Sequence, residues 1–473
     1  MTPSATFLQD GNFIRACYIV AFALFIYGLV RLRHPRTAVR GNLLAAVGMA
    51  IAIAATLLTK GMGNWALIAV GIVIGTLVGV PAARNVKMTA MPQMVALFNG
   101  VGGGAVALIS WVEFRNSGGY ASDPLYVAMF SLFGAIVGSV SFWGSNIAFG
   151  KLQELLPGRP ITLGRAQQLV NGVLLAAAVG LGAAILAGGH SQGLIVGVLI
   201  AAALLGNFVV LPIGGADMPV VISLLNAFTG LSAAAAGIAL NNTAMIVAGM
   251  LVGASGSILT KLMADAMNRS IPNIVAGGFG GGAPVAGAPG AAELDGRSVR
   301  STSAADAAIQ LSYARQVVIV PGYGMAVAQA QHAVQELAKE LEERGIEVKY
   351  AIHPVAGRMP GHMNVLLAEA NVPYDQLKEM DEINPEFSRT DVSLVIGAND
   401  VTNPAANRNP DSPIYGMPIL NVNESQSVIV IKRSMNPGFA GIDNELYYDE
   451  RTQMLFGDAK QAVSEIAEEV KAL

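Results

Sequence analysis

Nine apolar runs, each close to the length that crosses a bilayer, fill the first 275 residues of this 473-residue chain. They lie near residues 13–30, 38–58, 64–83, 91–112, 124–149, 166–187, 193–213, 218–240 and 243–263. Crossing about 30 Å of hydrocarbon takes about 20 residues of helix, and a helix satisfies every backbone group inside its own segment. Nine such runs in succession exclude a merely soluble chain. Only 13% of residues are charged, against about 25% in an ordinary soluble domain. The 54 glycines suit helices packed through small residues. Disorder and a disulfide scaffold are excluded as well, because the single cysteine, Cys17, has no internal partner and reads as filler in an apolar run.

Charge divides the chain into two materials. Residues 1–275 carry 14 Lys+Arg and 6 Asp+Glu, a net of +8, and the remaining 198 carry 15 and 26, a net of −11; the sum is the chain's −3. Residues 277–290 (GGFGGGAPVAGAPG) and the polar residues after them read as a flexible linker. The expected organisation is an all-α polytopic membrane domain over 1–275, a Gly/Ala/Pro-rich linker over 276–314 and an aqueous α/β domain over 315–473. Basic residues in alternate loops set the orientation. One set holds Arg31, Arg33, Arg36, Arg40, Arg84, Lys87, Lys151, Arg159, Arg165, Lys261 and Arg269, the other only Arg15, Lys60 and Arg115. The N-terminus is therefore expected outside and the acidic domain in the cytoplasm, or in the matrix of an organelle. With no Lys or Arg before Arg15 and further spans following, no cleaved signal peptide is expected.

Ionisable side chains in hydrocarbon are expensive and mark ion or proton paths, yet this membrane half nearly lacks them. Its interior polar candidates are Asn99, Ser139, Ser141, Ser145, Asn146, Asn171, Asn207 and Asn226. For any one of them, a hydrogen bond between helices or to the preceding turn is the plain reading. Asp217, between Gly214-Gly215 and Pro219, is either a helix cap or a gating, proton-handling carboxylate.

The aqueous part carries more chemistry. Gln316–Val320 reads as a buried parallel strand running into the turn Gly322-Tyr323-Gly324-Met325-Ala326-Val327. A helix should follow, with a core stripe at Val327, Ala330, Val334, Leu337 and Leu341, and then a strand over 347–352. Inside such a unit G-x-G-x-x-V gains meaning as a dinucleotide fingerprint, although Val327 replaces its third glycine. A site for NAD would place an acid at the end of the second strand; here that strand ends Tyr350-Ala351-Ile352-His353. A later strand, 427–431, ends instead in Lys432-Arg433-Ser434-Met435-Asn436, suited to a phosphate monoester unless the pair is only solvated surface charge. Together these favour NADP over NAD. Arg358 in VAGRMPG is a further phosphate candidate, and Asp400, after the strand 391–396, is either a site carboxylate or an Asx turn.

The phrases GYGMAVAQAQ, HPVAGRMPGHMNVLLAEA, DEIN, VIGAND, KRSMNPGFAG and MLFGDAK, with GGADMPV and AMNRS in the membrane part, resemble the beta subunit of proton-translocating NAD(P) transhydrogenase. The resemblance implies a cytoplasmic Rossmann-like parallel-sheet domain holding NADP(H), and a separate alpha subunit binding NAD(H). It implies hydride transfer from NADH to NADP+ coupled to inward proton movement, in a bacterial-type inner membrane. A dimer of alpha–beta units in contact with lipid is the expected assembly, and neither a metal nor a nucleic acid is expected.

By the same resemblance, Gly322 to Val327 and Val355, Ala356, Gly357, Arg358, Met359 and Pro360 wrap the phosphates. Gly397, Ala398, Asn399 and Asp400 lie toward the nicotinamide, with Asp400 the acid that senses protonation. Lys432, Arg433 and Ser434, with Met435 and Asn436 beside them, hold the 2′-phosphate, and Gly438, Phe439, Ala440 and Gly441 cover the cofactor. Gly457, Asp458 and Ala459 lie against the nucleotide, while Asn99, Asp217 and Asn226 serve proton passage and coupling. Two positions depart from the family's pattern: Phe439 where Tyr is frequent, and Asn99 where many members have His. An amide does not titrate near neutral pH, so the relay group has to come from the partner's spans or from Asp217. A channel or carrier regulated by a cytoplasmic NADP-binding domain, and a plain NADP-binding protein, are the alternatives.

Overall fold

The computed structural model describes residues 7–272 and 298–473, apart from 88, 89, 122, 159, 165, 215, 216, 268, 269, 359, 360, 411, 413 and 439. The chain forms two compact units: one comprises residues up to 157 with 161–212 and 221–259, the other 158–160, 213–220 and 260–473.

Among the described residues, nine helices are long and apolar enough to cross a membrane. They are α1 (Gly11–Leu32), α2 (Pro35–Leu57), α3 (Trp65–Asn85), α4 (Met91–Asn116), α5 (Leu125–Leu152), α6 (Ala166–Leu186), α7 (Gln192–Val210), α8 (Met218–Ala239) and α9 (Thr243–Ala266). Glycine sets their packing. A Cβ built on Gly28 would lie 2.9 Å from the carbonyl oxygen of Gly41, and one on Gly41 2.7 Å from that of Gly28. Gly103 with Gly138 (2.8 and 2.7 Å) and Gly230 with Gly249 (2.9 and 2.6 Å) repeat the arrangement. Thus α1–α2, α4–α5 and α8–α9 are each joined at a reciprocal glycine pair, where the backbones come within reach of dispersion and weak Cα–H···O contact. By contrast α3 buries 0% of its apolar window, and Gly71, Gly75 and Gly79 face open space.

The aqueous lobe is built on six parallel strands: β1 (Gln316–Pro321), β2 (Glu347–Ile352), β3 (Leu377–Glu379), β4 (Val392–Ile396), β5 (Ser427–Lys432) and β6 (Thr452–Phe456). Their order is β3-β2-β1-β4-β5-β6, the doubly wound arrangement in which direction reverses between β1 and β4. The core strands are runs of Val and Ile with every residue of β1 and β4 buried, as a sheet covered on both faces requires. On one face Val318, Val320, Val395, Val430 and Met454 pack with Ile383, Phe387, Leu420 and Tyr447. Helices α10 (Ala304–Ser312), α11 (Tyr323–Val327), α12 (Gln331–Glu343), α13 (His362–Glu369) and α14 (Ala459–Ala472) complete the lobe, and α14 packs on both α10 and α12.

Two expectations need correction. The helix after β1 is not continuous, because α11 ends at Val327, Gln329 takes a left-handed φ of 51°, and α12 starts at Gln331. The break turns Val327 out of the core stripe to 48% exposure, while Ala330, Val334, Leu337 and Leu341 remain buried. Part of the segment expected as linker, 304–312, is also a helix. Residues 273–297 lie outside the described residues, but Thr302 N donates to Met454 O at 2.9 Å and Met454 N to Arg300 O at 2.7 Å, covering the β6 edge. Ser303 then caps α10, accepting from Asp306 N.

Candidate functional site

The switch point between β1 and β4 opens the crevice in which ligands of such sheets bind. Here the two loops touch backbone to backbone. A Cβ on Gly322 would lie 2.3 Å from Ala398 N, and one on Gly324 2.7 Å from Gly397 Cα. Gly322 N donates to Ile396 O and Gly324 N to Gly397 O, both at 2.9 Å. Gly397 itself has φ +64°. The glycines of the fingerprint are therefore required first by the loop after β4, and the floor of the crevice is main chain. Met325 and Ala326 are buried beneath it.

The loop after β2 joins from the other side. Arg358 stacks its guanidinium 4.5 Å from the centre of the Tyr323 ring. Arg358 N donates to His362 Nδ1 at 3.0 Å, and Gly357, at φ +107°, leaves room for that imidazole. Burial, assisted by the Arg358 charge, lowers the His362 pKa to about 4. His353 is also buried; Val355 N donates to its Nδ1, and its Nε2 bonds Pro418 O at 2.8 Å. Burial lowers its pKa to about 4 despite that bond. The position where an NAD site would carry an acid is thus a neutral imidazole already engaged. Ala356 is buried and Val355 half-buried, whereas Met359 and Pro360 lie outside the described residues.

At the ends of β4 and β5 the side chains converge. Asp400 Oδ2 accepts from Ala440 N at 3.0 Å, and Gly438 passes so close that a Cβ there would meet Asp400 Oδ1 at 2.5 Å. Lys432 folds inward: its ammonium bonds Asn436 O and sits 4.8 Å from the centre of the Tyr447 ring. Burial lowers the Lys432 pKa, opposed by Asp443 and Asp400. Arg433, Ser434 and Asn436 are exposed beside it, and Met435 leans on the core. Ala440 packs with Ile414 and Met417, Gly441 has φ +70°, and Phe439 lies outside the described residues. Gly457 N donates to Lys432 O at 3.1 Å, which ties the end of β6 to the same corner. Asp458 caps α14 by accepting from Lys460 N and Gln461 N, and Ala459 is buried.

In the membrane helices Asn99 is buried, with Nδ2 2.9 Å from Ser145 Oγ and 3.4 Å from Ser141 Oγ. Ser141 Oγ in turn lies 2.6 Å from Thr229 Oγ1 and donates to Leu225 O, so α4, α5 and α8 meet in one polar cluster. Asn226 is half-buried on α8 next to Leu225, and Asp217, half-buried, immediately precedes that helix. Ser139 bonds Leu199 O and Asn146 bonds Phe142 O, the plain roles expected of them.

Sequence reasoning passed over Asn444 and Tyr447. They stand in a polar stretch, DNELYYDE, whose composition reads as surface loop. Tyr447 is nevertheless 1% exposed and Asn444 fully buried.

A doubly wound parallel sheet with a main-chain crevice at its switch point, in a chain that also carries nine membrane-length helices, defines a membrane protein of the dinucleotide-binding class. The family model for the NAD(P) transhydrogenase beta subunit matches residues 14–469. Two relatives, both named NAD(P) transhydrogenase subunit beta and both from Rhodospirillum rubrum, are each 50% identical over 459 residues, covering 96% of this chain and 98% of theirs. The chain belongs to the NAD(P) transhydrogenase beta subunit family, whose members transfer hydride between NAD(H) and NADP(H) coupled to proton translocation. Membership selects the oxidoreductase over the regulated channel or carrier.

Proposed function

We propose that the aqueous lobe of this chain holds NADP(H), that an alpha subunit supplies NAD(H), and that hydride passes from NADH to NADP+ as a proton moves inward. What carries this reading is the pairing of two strand ends. At the end of β5 stand Lys432, Arg433 and Ser434, while at the end of β2 stands neutral His353, committed to Pro418. The buried Asn399 Nδ2, which has no hydrogen-bond partner among the described residues, fits a ligand rich in oxygen acceptors. NADP(H), when bound, supplies the nicotinamide that gains or loses hydride. In this reading Arg433 and Ser434 meet the 2′-phosphate, and Lys432 joins them by exchanging the Asn436 carbonyl for a phosphate oxygen. Arg358, stacked on Tyr323, faces the diphosphate, with Gly322 to Val327, Val355 to Arg358 and Gly457 to Ala459 as the surrounding wall. Asp400, held by Ala440 N, links the nicotinamide end to the covering loop Gly438–Gly441.

Asn99, Asp217 and Asn226 are assigned to proton passage. A proton descending 100 mV yields about 2.3 kcal/mol, which drives the reaction only if protonation changes how tightly the lobe holds the oxidised and reduced cofactor. Since Asn99 does not titrate, Asp217 or the partner's spans carry the charge. The loop charges support an N-terminus outside and a cytoplasmic lobe, and the same reading takes the enzyme to be a dimer of alpha–beta units embedded in the lipid of a bacterial-type inner membrane.

The test is cofactor discrimination. The wild-type chain should bind NADP+ about 100-fold more tightly than NAD+, and K432A/R433A should lose about 100-fold for NADP+ while NAD+ is unchanged, as two charge-assisted contacts require. Equal wild-type affinities in calorimetry would overturn the assignment. For the membrane part, Asp217→Asn should lower proton pumping more than hydride transfer.

A further inference from the structure

Asn399 is held more firmly than a loop amide needs to be. Tyr447 Oη donates to its Oδ1 at 2.9 Å, and Asn444 Nδ2 donates to the same oxygen at 3.2 Å and to the Asn399 carbonyl at 3.0 Å. Asn444 is itself fixed, because its Oδ1 accepts from Leu446 N at 2.9 Å. Two donors converging on Oδ1 settle which way the carboxamide is turned. Its NH2 is left buried and without a partner among the described residues, on the side of Gly438, where a Cβ would lie 2.9 Å from it. A buried donor without an acceptor is expensive and rare in a folded chain. Here the surroundings impose it, since Asn444 Nδ2 can only donate and turning the amide over would set two NH2 groups against each other. The ring of Tyr447 also carries Lys432 on its face at 4.8 Å. One buried side chain therefore touches both the loop after β4 and the cation at the end of β5.

We propose that Tyr447, backed by Asn444, is a positioning residue: it holds the Asn399 carboxamide so that the NH2 donates to an oxygen of the bound dinucleotide. This rests on the lobe being the NADP(H) site. The acceptor is a carbonyl, ribose or phosphate oxygen, all of which present the same lone pair to an N–H donor. Tyr447 acts through Asn399 and makes no contact of its own with the nucleotide.

The test is a double-mutant cycle in the intact complex with its alpha subunit, reading NADP+ affinity by calorimetry and the thermal midpoint of the ligand-free protein. Tyr447→Phe keeps the ring under Lys432 and removes only the hydroxyl. It should weaken NADP+ by about 5-fold, Asn399→Ala by about 10-fold, and the double variant no more than Asn399→Ala alone. With asparagine-selective 15N labelling, NADP+ should shift one side-chain NH2 signal in the wild type, and that signal should broaden in Tyr447→Phe. Asn444→Ser, which retains an oxygen for Leu446 N but loses the donor to Asn399, repeats the cycle should Tyr447→Phe not fold. Additive losses in the double variant, or Tyr447→Phe binding as the wild type does, overturn the inference. A wild-type complex that does not distinguish NADP+ from NAD+ overturns the cofactor assignment instead, whatever the cycle shows.

Discussion

The membrane helices and the aqueous lobe use glycine against the same van der Waals limit, with different consequences. In the helices the close approaches are spread along seams. Gly28–Gly41, Gly103–Gly138 and Gly230–Gly249 each bring two backbones together, and neighbouring turns share the load. In the lobe they converge on one point, where Gly322 and Gly324 meet Gly397 and Ala398 at the floor of the crevice. A distributed contact tolerates local damage, whereas a concentrated one fails with its function. Polar burial divides the same way. The helices bury hydroxyls and amides that bond main chain or one another, as Ser141, Thr229 and Asn99 do. The lobe buries hydroxyls and amides too, Ser393 and Asn444 among them, and adds two imidazoles, His353 and His362, held neutral.

Four variants or conditions sharpen this contrast. Gly322→Val has no room at 2.3 Å from a backbone nitrogen and should destabilise the lobe by more than about 3 kcal/mol, abolishing NADP+ binding in a titration. Unchanged binding would show that the two loops part freely. Gly230→Ala, with Gly253 N 2.5 Å from the new Cβ, should cost about 1–3 kcal/mol, read as a lower unfolding midpoint in detergent with NADP+ affinity retained.

The histidines make the third test. Their folded pKa of about 4 lies below the value of about 6.5 in an unfolded chain. Acid therefore protonates the unfolded chain first. Their contribution is complete above about pH 6.5 and falls by about 1.4 kcal/mol per pH unit for each imidazole down to about pH 4. Calorimetry of His353→Gln across that range should show a shallower slope; an unchanged slope would mean that His353 is not buried neutral. At the small end, Lys339→Ala breaks an exposed pair with Glu343 at 3.6 Å and should move the midpoint by the equivalent of less than about 0.5 kcal/mol.

Much of the site was legible, but unevenly. The strand ends were readable because the apolar runs of β1, β4 and β5 stop abruptly at Gly322, Gly397 and Lys432, so the loops that gather at one edge could be named in advance. The break at Gln329 was hidden, since Val327 keeps helical spacing with Ala330 and Val334 and only the backbone's left-handed turn removes it from the stripe. Residues 304–312 looked like linker because Ala, Asp, Gln and Ser carry no strong pattern, and α14 supplies the surface that makes them a helix.

By itself the sequence determined the nine spans, the parallel sheet and the missing acid at the end of β2. Each of these depends on hydrophobic length, periodicity or residue type, and all three are local properties of the chain. Only the tertiary structure decided that the fingerprint glycines press on Gly397, that Lys432 folds over Tyr447, and that Tyr447 and Asn444 grip Asn399. Those pairings join residues 15 to 75 positions apart in sequence, and which donor meets which acceptor across such a gap is fixed by packing rather than by any pattern along the chain.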